Sequence, residues 1–191
     1  VALSDVVARG KRLEASVFDV EAKQAYMLLT HGKYPAVNLI SKNGPVEKAY
    51  YGGRLKRHYV DETEPGAVGF LGSSEMLDCK PKPVKFMLND VKTADVRVKQ
   101  GVVLISRSGT IGNVTYVGNT LSKFFVSEHA IRIECKDFPG YVYAFLKTKI
   151  GKLIVCSTQY GAVIQEIEPE HLATVPIPDA PTMLKKKIHD L

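Results

Sequence analysis

The chain has little cysteine: Cys79, Cys135 and Cys156 are three in 191 residues, far apart and odd in number. With no Cys-x-x-Cys pair they supply no zinc-ligand spacing, and an odd, dispersed set is not a disulfide framework. The pattern suits a reduced, cytoplasmic protein. Long apolar runs are also missing. None approaches the ~20 residues that a membrane helix needs, so no membrane role is expected. The N-terminus lacks the basic start and apolar core of a signal peptide. It lacks Met as well, which fits a processed or excised piece.

Catalytic signatures are scarce too. There is no phosphate-binding Gly-x-x-x-x-Gly-Lys-Ser/Thr and no dinucleotide-binding Gly-x-Gly-x-x-Gly. The Asn/Asp-Pro-Pro-Tyr/Phe motif with which amino-methyltransferases hold a flipped base does not occur. A nucleophile elbow on Ser108 would need glycine two positions to either side, where Ser106 and Thr110 stand instead. His31, His58, His129, His171 and His189 show no paired ligand spacing, so no metal or other cofactor is expected. His129 reads as a structural histidine on a half-buried strand. Glu21-Ala22-Lys23 has the Glu-x-Lys spacing of many nucleases. It falls in an amphipathic helix, however, and such sites also need an Asp on a neighbouring strand. A small metal-dependent nuclease is therefore a minor alternative.

What the chain has is an ordinary globular composition with a basic excess. Its 191 residues are the size of one domain, and 45% hydrophobic with 24% charged suffices for a sizeable core. Lys+Arg 26 against Asp+Glu 20 gives a net charge of +6 and a pI near 9.1. That balance favours a polyanionic partner and equally describes a solvated basic surface.

Asp19 is a candidate N-cap for a helix through about Thr30, with Ala22, Ala25, Tyr26 and Leu29 as its apolar face and Gly32 at its end. Recurrent glycine and proline from Tyr34 to Gly72 predict irregular loops and short strands, Val68–Leu71 among them. Pro81 and Pro83 argue against a helix after Cys79. Val102–Ile105 reads as a buried strand, followed by a tight turn over Ser108–Asn113 that Gly109 and Gly112 permit, then a strand Val114–Val117. Phe125–Ile133 reads as one strand carrying Phe125, Ser127, His129, Ile131 and Ile133 on one face. Pro139 opens a helix in which Val142, Phe145, Leu146, Ile150 and Leu153 recur at helical spacing. A final helix from Pro181 puts Leu184, Ile188 and Leu191 on one stripe, too short to hold a coiled coil alone.

Recognition of nucleic acid needs Lys, Arg, hydroxyls and backbone amides for phosphates, and Arg, Asn and Gln in fixed geometry for bases. Three loops supply these groups. The first holds Arg54, Lys56, Arg57 and Tyr59; the second Arg107, Ser108 and Thr110; the third Gln159 and Tyr160, followed by Gln165. Ser73 and Ser74, after the Val68–Leu71 run, are further candidates. Each loop has a plainer reading: a solvated edge at Arg54–Arg57, a structural turn at Ser106–Gly112, and a packing role for Tyr160.

The order of pieces carries a resemblance. Ser106-Arg107-Ser108-Gly109-Thr110-Ile111-Gly112 after a strand is followed by Ser127-Glu128-His129, a Tyr-rich helix, Gln159-Tyr160-Gly161-Ala162 and Pro176-Ile177-Pro178. Together these resemble the target recognition domain of a type I restriction-modification specificity subunit, and Arg12-Leu13-Glu14-Ala15-Ser16 resembles the opening of such domains. The resemblance implies an α+β fold: a twisted, mostly antiparallel sheet with peripheral helices, then a protruding C-terminal helix. It implies a recognition domain over 1–180 and the start of a spacer or dimerisation helix over 181–191. That helix would pair with a second recognition domain or another copy of the chain, unless it folds back on its own domain. The implied function is sequence-specific recognition of double-stranded DNA without catalysis, on behalf of a separate DNA methyltransferase subunit and a restriction (motor) subunit. Base-choosing residues are expected within Lys33–Lys85, where the resemblance transfers no individual position. A generic protein-interaction domain is the other alternative.

Overall fold

The computed structural model describes residues 3–8, 19–159 and 166–191. In chain order these form α1 (Leu3–Ala8), α2 (Val20–Thr30), β1 (Ala36–Asn38), β2 (Val46–Tyr51), β3 (Tyr59–Val60), β4 (Ala67–Leu71), β5 (Lys85–Leu88), β6 (Val103–Ser106), β7 (Val114–Tyr116), β8 (Phe125–Val126) and β9 (Ala130–Cys135). Then come α3 (Pro139–Lys147), α4 (Lys149–Cys156), α5 (Pro169–Ala173), β10 (Pro176–Pro178) and α6 (Thr182–His189). Short 3-10 helices cover Glu75–Leu77, Val91–Val96 and Leu121–Lys123.

The central sheet runs β2-β9-β6-β7 and is antiparallel throughout. Alternate residues of a strand face opposite sides, and both sides of β6 are covered. Val103 and Ile105 join Ile131, Ile133, Val142, Phe145 and Leu146 in the larger core, beneath the helices. Leu104 joins Ala130, Leu71, Met76, Val117 and Val126 on the opposite side. Double burial explains why Val102–Ile105 is a continuous apolar run rather than an alternating one. A second sheet, β3-β5-β4-β8, carries its own small cluster of Phe70, Met87, Val96 and Phe125. Within it β8 runs parallel to β4, while the other pairs are antiparallel. The α+β class read from the sequence is the class observed.

Local signals act where expected. The Asp19 carboxylate accepts the backbone N–H groups of Glu21 and Ala22 at 2.7 and 3.1 Å, capping α2, which contributes about 1 kcal/mol. Ala22, Ala25 and Leu29 are buried, but Tyr26 is 49% exposed, so the apolar face of α2 is narrower than its sequence suggests. Pro139 opens α3 directly after Phe138, which holds a left-handed φ of 50°.

Three elements differ from the sequence reading. The strand expected over Phe125–Ile133 is two strands in two sheets: β8 pairs with β4, and β9 with β6 and β2. Ser127–His129 is the crossing, turned by a hydrogen bond from the Ala130 N–H to the Ser127 carbonyl at 3.2 Å. The helix after Pro139 is likewise two. Thr148 leaves helical geometry with ψ 156°, and its hydroxyl oxygen accepts the Gly151 N–H at 3.0 Å to start α4. Finally, α6 turns Leu184 and Ile188 onto its own domain's core. His189 Nδ1 accepts the Gly140 N–H at 3.1 Å, while Met183 and Leu191 stay exposed. Among the described residues no helix is long and apolar enough to cross a membrane.

Candidate nucleic-acid interface

The segment 52–58 runs without regular structure from the central sheet to β3. It walls a cleft of about 500 Å³ whose other side is Met87, Leu88, Asp90, Lys92 and Thr93. Leu55, Val60 and Met87 supply apolar lining, and Arg54, Lys56, His58 and Lys92 supply basic lining. Arg54 and Lys56 are exposed and make no ion pair among the described residues. Asp90, the carboxylate of this cleft, is occupied by the start of the Val91–Val96 helix: it accepts the Thr93 N–H at 3.0 Å while its own N–H donates to Thr93 Oγ1 at 2.9 Å. Beside the cleft, Tyr59 stands edge-on to Phe70 at 6.3 Å with the Lys85 ammonium 5.2 Å from its ring centre.

Arg57, between those free cations, turns inward. Its Nη2 reaches both carboxylate oxygens of Glu128 at 2.7 and 2.6 Å, and its guanidinium lies 5.0 Å from the Phe70 ring centre. Burial would raise the Glu128 carboxyl, but its own backbone N–H and the Arg57 guanidinium outweigh that and hold it below the usual carboxylate range. The next residue, His129, shares a 2.9 Å hydrogen bond between Nδ1 and Ser108 Oγ, and its carbonyl accepts the Arg107 N–H at 2.9 Å. The Glu128-His129 pair therefore ties the first candidate loop to the second.

Arg107 is not at the surface. It is 4% exposed, ion-paired to Glu166 at 2.8 Å and to Glu168, with its guanidinium 4.8 Å from the Tyr51 ring centre. Expected from sequence to contact DNA, it instead fastens the hairpin to the segment before α5. The Ile167 N–H donates to the Arg107 carbonyl at 3.0 Å in the same joint. The turn keeps its shape through Gly109 and Gly112, at φ 73° and 75°, and through Ser106 Oγ, which donates to the Thr110 carbonyl. Thr110 Oγ1 is buried and has no partner among the described residues. At the tip of this loop Ser108 and Thr110 are part-exposed, and Ser108 is engaged with His129.

Ser73 is half-buried and Ser74 exposed, at the entry to the Glu75–Leu77 turn and outside the cleft lining. Gln159 is half-buried beyond α4. Tyr160, Gln165 and the Arg12–Ser16 stretch lie outside the described residues. Glu21 of the nuclease-like pair meets Lys149 at 3.5 Å on the face of α2. Among the described residues no group of three metal-ligating side chains occurs. Sequence reading missed Glu128, Glu166 and Glu168, the acids that decide which arginines are free. Their partners lie 71, 59 and 61 residues away, beyond any local pattern.

No protein-family model matches this sequence, and no curated protein does. Solved structures do. A type I restriction-modification system S subunit from M. genitalium superposes with a TM-score of 0.51 and 15% identity, over 81% of this chain and 40% of that one. The HsdS subunit from Thermoanaerobacter tengcongensis gives 0.56 and 14%, over 98% and 47%. A structure concerned with complex assembly and conformational transition of the type I restriction-modification system gives 0.53 and 15%, over 97% and 49%. The chain spans less than half the length of each. At such identity the likeness lies in the backbone, and what it establishes is that this chain has the fold of a type I restriction-modification S subunit, over about half of one.

Proposed function

We propose that the chain is a target recognition domain of a type I restriction-modification specificity subunit, reading one part of a double-stranded DNA target. The observation that carries this is the cleft beside β3. Arg54 and Lys56 stand exposed on its wall with no ion pair among the described residues, over apolar Leu55 and Met87, on the fold of S subunits. Cations that make no ion pair among the described residues can neutralise phosphates, and such contacts supply affinity that falls with salt. An arginine held at the end of a packed segment can also reach a guanine edge, worth roughly 1–3 kcal/mol of discrimination. Tyr59, fixed between Phe70 and Lys85, adds a flat surface beside them.

In this reading the domain is cytoplasmic and performs no chemistry. A methyltransferase subunit transfers the methyl group, and a restriction subunit with motor activity acts downstream. Residues 181–191 begin a spacer helix: Leu184 and Ile188 seat it on the domain, while Met183 and Leu191 remain outward for a second helix. The test is to co-express the chain with the reading frames that flank its own and map the methylated bases. The reading expects one defined sequence, altered or lost in the Arg54→Ala, Lys56→Ala double variant. Unchanged methylation in that variant would remove the cleft from the interface.

A further inference from the structure

A second cleft, of about 530 Å³, includes Tyr50, Gly52, Asp95, Arg97, Lys99 and Arg132 in its lining. Arg132 is the largest fully buried side chain, 1% exposed. It projects from β9 on the same side as Ala130, toward the smaller core rather than the helices. Its Nη2 donates to the Val126 carbonyl at 2.9 Å, but Nε and Nη1 have no partner among the described residues. A buried guanidinium with two idle nitrogens and no ion pair among the described residues, answered only at a distance by Asp95 and Glu128, is a costly arrangement. Gly52 lies against it where it lines the cleft. A Cβ there would sit 2.6 Å from Arg132 Nη1 and 2.7 Å from the Asp95 carbonyl, so no side chain fits at this position. Arg97 and Lys99 stand exposed on the wall, and Asp95 is the one carboxylate of the lining. Three cations against one acid leave a local excess of +2 (3 − 1).

We propose that this cleft binds a phosphate group, with Lys99 and Arg97 at its mouth and the Arg132 charge beneath its glycine floor. Cations on different walls suit a tetrahedral oxyanion, which presents oxygens in several directions at once. Two sources share that chemistry: a phosphodiester of the DNA backbone and a free phosphate. The first rests on the DNA reading above; the phosphate site itself does not.

The test uses the whole chain. Thermal unfolding is followed against sodium phosphate, with sodium chloride at matched ionic strength as the control. Phosphate should raise the midpoint beyond chloride. Lys99→Gln should weaken the phosphate response about fivefold, as loss of one exposed charge contact does, and Asp95→Asn should strengthen it. Arg132→Met should abolish it; should that variant not fold, the two exposed substitutions decide alone. Equal responses in wild type, Lys99→Gln and Asp95→Asn overturn the site. The same proteins are then titrated with a short duplex. If a backbone phosphate occupies the cleft, Lys99→Gln lowers the slope of log affinity against log salt by about one. An unchanged slope with an intact phosphate response assigns the cleft to free phosphate. Phosphate binding without any duplex binding upholds the site and rejects the DNA reading.

Discussion

The central sheet and the smaller one use charge in opposite ways. On the central side, Arg107 is buried with two carboxylates and an aromatic ring closed around it, so its charge serves the joint between hairpin and α5. On the smaller side the cations are steered by aromatic rings while staying accessible: Lys85 over Tyr59 and Arg97 over Phe125, with Arg54 and Lys56 free beside them. The cores differ in proportion. The large cluster under the helices draws on β6, β9 and four helices, whereas the smaller sheet closes on Phe70, Met87, Val96 and Phe125. On the smaller side Arg54, Lys56, Lys85 and Arg97 stay exposed, where a polyanion can reach them.

Substitutions on the two sides should therefore separate stability from binding. Arg107→Met removes the cation that Glu166 and Glu168 share and should cost about 2–3 kcal/mol in urea unfolding, with duplex affinity per folded molecule unchanged. Lost affinity at unchanged stability would return Arg107 to the interface. The Arg54→Ala, Lys56→Ala double variant should do the reverse. Its stability should stay within about 0.5 kcal/mol, while duplex affinity at low salt drops at least tenfold and the salt slope falls by about two.

The Arg57–Glu128 pair sits between these extremes and gives a pH test. A carboxyl held below its usual value contributes stability above the unfolded value, near ~4.3. That contribution fades as pH falls through the lower folded value. Glu128→Gln should cost about 1 kcal/mol at neutral pH and flatten the acid limb of the urea midpoint. A wild-type acid limb in Glu128→Gln would mean that other carboxylates carry it. The smallest effect is expected from Ser74→Ala, an exposed position with no side-chain cap bond, which should leave stability within about 0.5 kcal/mol. A measurable loss of duplex affinity there would extend the interface beyond the cleft.

Much of the fold is legible in the chain because its signals are local. The Asp19 cap, the Pro139 start, the apolar run of β6 and the glycine turn at 109–112 each depend on residues within a few positions. The breaks at Ser127–His129 and Thr148 are not legible, because the apolar period continues across both. What interrupts it is a neighbour distant in sequence: β4 captures β8, and the packing of Gly151 against the end of α3 sets the corner at Thr148. The site divides the same way. A basic run at Arg54–Arg57 is visible as composition, but only the distant Glu128 shows that Arg57 is occupied while Arg54 and Lys56 are free.

The most direct measurement is titration of the purified chain with duplex DNA across a range of salt, wild type beside the Arg54→Ala, Lys56→Ala variant. Recognition through the cleft predicts tight binding at low ionic strength, a steep salt dependence, and a shallower slope in the variant. Duplex binding that is absent at low salt, or that keeps the same slope without those two cations, would contradict it.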